Sequence, residues 1–305
     1  MNKEYEAVIS AEVAKINAFL GSCAQLESSD GSPWETVLEA EKYALSAGGK
    51  RIRPLLAVEF YKLFSGTDSA PDFVYEAAVT LEMTHTFSLI HDDMPEMDDD
   101  DLRRGKPATH VKFGTATGLL AGDGLAILPY EILADMALGG RLDLLTAVKL
   151  TKLLSANAGN RGMIAGQMLD LWSEERADAV NEDFLKEMSG LKTGCLLAAS
   201  CLFGAVLAGA DEERCRSAEI YAKKVGLAFQ IVDDVLDVTS SPEELGKPTG
   251  SDSDREKPTF YDILGEEGAL REAERLSAEA AAELEKYPGS GLLREFVLSL
   301  AKRKK

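Results

Sequence analysis

Two stretches of this 305-residue chain carry carboxylates at spacings that suit metal ions. The first, LIHDDMPEMDDDDLRRG at 89–105, packs seven carboxylates between Asp92 and Asp101 and follows them with Arg103 and Arg104. Anions this close repel and raise one another's pKa, so the cluster is tolerable only beside cations. Asp92 and Asp98 are six residues apart, which on a straight helix would splay them by about 120°. Pro95 lies between them, removes a helical hydrogen bond and bends or ends the helix, which lets the pair converge again. The second stretch, FQIVDDVLDV, sets Asp233 and Asp237 four apart, one turn along a single helix face, with Asp234 pointing elsewhere. Either pair suits magnesium, which typically takes one or two carboxylates and completes its octahedral shell with phosphate oxygens. The spacing excludes a calcium loop of the EF-hand kind.

Phosphate calls for cations, and five loci supply them: Lys50, Arg51 and Arg53 in GGKRIRP; Arg103 and Arg104; Lys192 with Thr193; Lys247; and Lys257. Arg matches phosphate oxygens bidentately and Lys supplies a point charge. A lone GGKR more often marks a solvated turn; here two acid clusters accompany it. The net charge of −19 argues against nucleic acid and anionic membrane surfaces, but not against an anionic small molecule held through metal ions. Four cysteines without a CxxC pair and an N-terminus lacking an apolar signal core point to a reducing cytoplasm.

These groups need rigid elements to hold them. Helical spacing runs through almost the whole chain, while strand signals are nearly absent. The periodicity predicts helices at 35–47, 71–91, 115–137, 143–158, 183–208, 212–238 and 267–286, the first opened by Ser32 as cap with Pro33 in its first turn. The uncharged stretch 194–210 reads as a helix buried in protein, not a membrane span. Polar, Gly/Pro/Ser-rich 239–258 reads as a loop long enough to cover a site. No repeat or composition break appears, so residues 1–305 read as one all-α domain. Gln167 and Asp170, three apart, should line the cavity that holds the acids. Asp123 interrupts an apolar helix as a partnered buried acid does, with a structural hydrogen bond as its expected role.

The motifs GGKRIRP, HTFSLIHDDMPEMDDDDLRRGKP, AGDG, GQMLDL, LKTG, FQIVDDVLD and GKPTGSD, in that order over 35–261, resemble the trans-isoprenyl diphosphate synthases, and among them most the bacterial-type farnesyl diphosphate synthases. The resemblance implies a single large helical bundle around a deep central cavity, usually as a homodimer. It implies that Asp92 and Asp98 hold Mg²⁺ at the allylic diphosphate and Asp233 a further ion, three in all, with Asp93 and Asp237 in support. Arg103, Lys192, Gln230 and Lys247 would contact the allylic diphosphate or its metal shell, as would Thr193. Lys50, Arg53, His85 and Arg104 would hold isopentenyl diphosphate. Lys257 would reach phosphate from the covering loop, although Glu256 precedes it where glycine is common. Asp92, Asp98, Lys192 and Asp233 are thus the expected catalytic set. In the family an aromatic at the position of Phe87, with the insertion around Pro95, accompanies a C15 product.

The expected reaction is head-to-tail condensation of isopentenyl diphosphate with dimethylallyl or geranyl diphosphate. Products of C10 or C20 by the same chemistry are the nearest alternatives. A terpene cyclase normally has a different second metal motif, and a catalytically silent partner subunit tends to lose an acidic motif or the basic island. Both survive here. The tail KRKK at 302–305 reads as a fraying end.

Overall fold

The computed structural model describes residues 3–23, 31–239 and 257–301. They form helices α1 (Lys3–Cys23), α2 (Glu35–Leu45), α3 (Ile52–Ser65), α4 (Asp72–Asp92), α5 (Thr109–Phe113), α6 (Thr115–Leu138), α7 (Leu144–Ala158), α8 (Met163–Glu175), α9 (Glu182–Ser189), α10 (Cys195–Leu207), α11 (Glu212–Thr239), α12 (Phe260–Glu283) and α13 (Gly291–Leu300). The centre is built from helices that are apolar on more than one side. In α4, Val74, Ala78, Leu81 and Met83 are buried together with Tyr75 and Val79, and α10 is buried from Leu196 to Ala205 save Leu202. The stretch expected to be an interior helix is one. Helices α3 and α10 each feed two of the three apolar clusters, and α11 links the second to the third.

The two acid motifs sit at or near the C-terminal ends of α4 and α11. A helix C-terminus carries partial negative charge, so neither place is favourable for carboxylates without cations. Helix α4 stops at Asp92 because Pro95 cannot continue it. The chain then folds back: Asp98 N–H donates to the Asp92 carbonyl at 2.8 Å and Asp99, at φ 50°, to Met94 at 3.0 Å. The convergence expected of Asp92 and Asp98 is built by this turn.

Several expectations are corrected. Ser32 does not cap α2 through its side chain; Trp34 is the N-cap, and the Glu35 carboxylate accepts from Gly31 N at 3.0 Å and Ser32 N at 3.3 Å. Residues 183–208 are not one α-helix, because a π-turn at Gly190–Gly194 separates α9 from α10. Helix α12 starts seven residues early, at Phe260 rather than 267, on a capping box between Thr259 and Asp262; Gly265 at φ 65° breaks the periodicity behind it. Helices α1, α3, α5, α8 and α13 escaped the periodicity reading. So did a hairpin pairing Leu102–Arg103 with Lys106–Pro107, whose two-residue turn holds Arg104 and Gly105 at positive φ.

Candidate active site

Beyond the end of α4 the acids and lysines interleave. Lys192 Nζ lies 2.7 Å from Asp170 Oδ2 and 3.6 Å from Asp92 Oδ2. Lys257 Nζ lies 3.1 Å from the same Asp170 oxygen, 3.2 Å from Asp98 Oδ1 and 2.7 Å from Glu174 Oε1. Gln167 donates to Asp92 Oδ1. Burial raises the Asp92 pKa, with Lys192 opposing. Asp170 is also penalised by burial, yet Lys192 and Lys257 together hold it below the usual carboxylate range. Burial works against Lys257, but Asp170 and Asp98 hold its pKa well above normal; Lys192 is likewise raised, against burial, by Asp92 and Asp170. Both lysines are therefore charged. Gln167 lines a cavity as expected; Asp170 lines neither cavity described below and is instead the hub of the lysine contacts, a role the spacing alone did not reveal.

Lys192 and Thr193 are aimed by the π-turn, whose extra residue per turn shifts the register of the side chains after it. The turn packs directly on α8: a Cβ at Gly166 would overlap the Lys192 backbone nitrogen. On α11, Gln230 accepts from the Thr193 hydroxyl at 3.2 Å and donates to Asp234 at 2.9 Å. Asp234 does turn away from its neighbours, and its second oxygen accepts from Phe260 N at 2.9 Å, tying α11 to the start of α12. Asp237 is buried, and Asp233 lines the cavity described next. Asp93 takes a separate path. It is buried and accepts from Arg103 Nε at 2.8 Å and from a second Arg103 nitrogen, while Arg103 also reaches Asp100 at 3.2 Å. Burial pushes the Asp93 carboxyl up to about 6 despite Arg103.

A cavity of about 430 Å³ beside the acids is basic, lined by Lys50, Arg53, His85, Arg103, Arg104 and Gln230 among others. Arg53 Nε and His85 Nδ1 are buried without hydrogen-bond partners. Burial, then Arg53 and Arg104, hold the His85 pKa well below its ordinary value, so the ring is neutral; burial pushes Arg53 down to about 10. Two residues of the cavity lining thus carry buried polar atoms without partners, which together with the surrounding cations fits a polar, anionic ligand. Two carboxylates, Asp233 and Glu82, also line it. Glu82 binds Arg51 at 2.7 Å and lies 3.8 Å from Arg104. Arg51, in the left-handed region at φ 50°, donates as well to Asn17 at 2.9 Å and to the Leu45 carbonyl at 2.6 Å. Arg104 donates to the Gly48 carbonyl and lies where a Cβ on Gly49 would sit. The sequence reading missed Glu82; its signal is a carboxylate one turn before His85 in an otherwise apolar helix.

A second cavity, of about 320 Å³, is mostly apolar: Phe87, Met163, Ile164, Met168 and Leu171 line it, with Ser88, Asp92, Gln167 and Lys192 among the polar residues of its lining. Arg53, His85, Leu89 and Thr193 line both cavities, which therefore adjoin. Asp123 is corrected. Its side chain is 55% exposed on an outer helix face, and its contact is with His91 Nε2 at 3.8 Å. Lys247, most of the expected covering loop (240–256) and the tail 302–305 lie outside the described residues.

Among the described residues no three candidate ligands stand close enough to hold an ion unaided. Asp92 on the apolar cavity and Asp233 on the adjoining basic one are carboxylates that fit magnesium whose shell is completed by phosphate oxygens.

Residues 35–286 match the family model for polyprenyl synthetases. A farnesyl diphosphate synthase from Haemophilus influenzae is 38% identical over 290 residues, covering 93% of this chain and 95% of the relative. A geranylgeranyl diphosphate synthase from Cyanophora paradoxa is 42% identical over 248 residues, 81% of each. Among solved structures, a geranyltransferase from Helicobacter pylori complexed with magnesium and isoprenyl diphosphate superposes with a TM-score of 0.83 at 32% identity, over 99% of this chain and 98% of that one. A farnesyl/geranylfarnesyl diphosphate synthase from Zymomonas mobilis, in its apo form, gives 0.83 at 31% identity over 99% of both. The all-α isoprenoid synthase fold is shared with these neighbours.

Proposed function

This chain belongs to the polyprenyl synthetase family and is a trans-prenyl diphosphate synthase, and from that premise we propose that it joins isopentenyl diphosphate head-to-tail to dimethylallyl and geranyl diphosphate, with farnesyl diphosphate (C15) as main product. The observation that carries this reading is the junction of the cavities. A mostly apolar pocket with Asp92 and Lys192 in its lining adjoins a basic pocket through Arg53, His85, Leu89 and Thr193. A prenyl tail in the first and a diphosphate in the second bring two reacting carbons together.

Polyprenyl synthetases use Mg²⁺. In this chain Asp92, Asp98 and Asp233 would hold it, supported by Asp93 and Asp237, as three ions when a diphosphate is bound. When bound, magnesium supplies Lewis-acid stabilisation of the leaving diphosphate. Lys192 and Lys257, both protonated, add fixed positive charge on the same side, and charge placed in advance costs no reorganisation during reaction. Arg103, Thr193, Gln230 and Lys247 complete that diphosphate's contacts. Lys50, Arg53 and Arg104 hold isopentenyl diphosphate, and neutral His85 adds a hydrogen bond without adding charge. The allylic C–O bond ionises, its electron pair leaving with the diphosphate; the homoallylic double bond attacks the allylic cation, and the proton then lost goes to the departed diphosphate.

Phe87 in the apolar cavity supports C15. The Cyanophora relative favours a C20 product as the second reading. A silent partner subunit is disfavoured because both acid motifs and the basic island meet at one site. The chain would act as a homodimer: Leu119, Leu120 and Ile127 on α6 and Leu144, Leu145 and Val148 on α7 are exposed. Cytoplasmic residence is part of the proposal, supported by four free cysteines.

The test is chromatography of products made by the purified chain from dimethylallyl diphosphate, labelled isopentenyl diphosphate and Mg²⁺. Farnesyl diphosphate should dominate, and EDTA should abolish turnover. A dominant C20 product would move the assignment to the second reading, and no turnover by the pure chain would sink both.

A further inference from the structure

The AGDG segment of α6 takes no part in either pocket, yet its first glycine is shaped around a residue that does. A Cβ on Gly122 would overlap the His91 ring at Nε2 and Cδ2, so the imidazole occupies the space on α6 where a side chain would otherwise be. His91 Nε2 is 3.1 Å from the Leu119 carbonyl. A carbonyl can only accept, so Nε2 carries the proton. The Asp123 carboxylate, at 3.8 Å, is too far for a hydrogen bond and leaves the Leu119 contact as the anchor. One turn back on α4, the Phe87 ring meets His91 edge-on, with centroids 5.9 Å apart and planes at 72°. Phe87 and His91 both line the apolar cavity.

We propose that His91, seated in the notch at Gly122 and anchored to α6, is a specificity-determining positioning residue: it braces Phe87 and so sets the depth available to the growing prenyl chain. This rests on the reading that Phe87 closes the apolar cavity. A phenyl ring held only by its own χ1 can swing toward any adjoining space. Here that space is filled by an imidazole locked to a second helix. Removing the imidazole lets Phe87 retreat and deepens the cavity. Filling the notch pushes the imidazole off α6, and Phe87 with the cavity lies on its free side, so the cavity becomes shallower. The glycine is thus part of the length gauge although it touches no substrate.

Four variants separate the possibilities, each read as product ratio by chromatography, which a general loss of rate does not move: His91→Ala, Gly122→Ala, the double variant and Phe87→Ala. The brace predicts a shift toward products one five-carbon unit longer for His91→Ala and one unit shorter for Gly122→Ala. In the double variant the shortening should disappear, because the new methyl then occupies an empty notch. Should Gly122→Ala fail to fold, His91→Ala alone still decides. Wild-type ratios in His91→Ala, with Phe87→Ala lengthening the product, overturn the brace and leave the floor standing. An unchanged product from Phe87→Ala overturns the floor and the brace with it.

Discussion

Glu82 is a carboxylate inside a pocket meant for an anion, which is sensible only if its work is done on the cations. Arg51, Arg53 and Arg104 converge there, and without a counter-charge their repulsion would spread them before any diphosphate arrived. Glu82 takes a buried bond from Arg51 and stands near Arg104, so it holds the GGKR turn against the hairpin. Glu82→Gln should raise the KM for isopentenyl diphosphate on the order of tenfold, the scale of one charge-assisted bond, while the allylic KM moves little. Steady-state kinetics with each substrate varied in turn check this, and an equal rise in both would show that Glu82 does not serve the basic pocket. His85 gives a pH signature. Its folded pKa is below the ordinary value of about 6.5, so below that pH the unfolded chain binds the proton and the folded chain resists it. Stability is then fully present above about 6.5 and is lost as pH falls toward the lowered folded pKa. Melting curves from pH 7 to 5 should fall less steeply for His85→Gln, by up to about 1.4 kcal/mol per pH unit.

At the scale of elements, the site depends on helices that stop or change register at set points. Pro95 ends α4, and the Asp98-to-Asp92 backbone bond folds the second acid back over the first. The π-turn at Gly190–Gly194 aims Lys192 between Asp92 and Asp170, and it can do so because Gly166 on α8 lets two backbones touch. Gly166→Ala should therefore displace Lys192 rather than merely crowd the core. It should cost roughly 1–3 kcal/mol of stability, as overpacking does, and cut kcat by more than tenfold. Thermal melts and turnover together check this; normal kcat in a folded variant would falsify the aiming role.

The whole molecule leaves one broad apolar flank, made by α6 and α7, uncovered. Helix α6 is long and apolar enough to pass as a membrane span, but 39% of its most apolar window is buried, and Asp123, Glu131 and Asp135 share its exposed side. Charges there are costly in lipid and ordinary at the rim of a protein interface. Ile127, 66% exposed, lies on this flank. Ile127→Glu should change monomer stability by less than about 0.5 kcal/mol but shift the light-scattering mass from dimer to monomer. An unchanged mass would place the contact elsewhere or nowhere.

Residue type and spacing alone were enough to determine the helical class, the paired acids, the basic island and the family, because metal and phosphate chemistry demand particular groups, and helix geometry turns spacing into facing. The buried helix α10 was legible for the same reason, as an uncharged run has few other places to go. Helices α1, α3, α5, α8 and α13 were not read, and Asp123 was misread as buried, since burial is decided by what packs opposite rather than by a residue's own neighbours in sequence. The roles of Asp170 and Glu82 needed the fold outright. Each holds two cations from distant parts of the chain: Lys192 and Lys257 for one, Arg51 and Arg104 for the other. Such contacts carry no periodic signature, because only the packed helices bring those charges within a few ångströms, where low local dielectric makes their pairing strong.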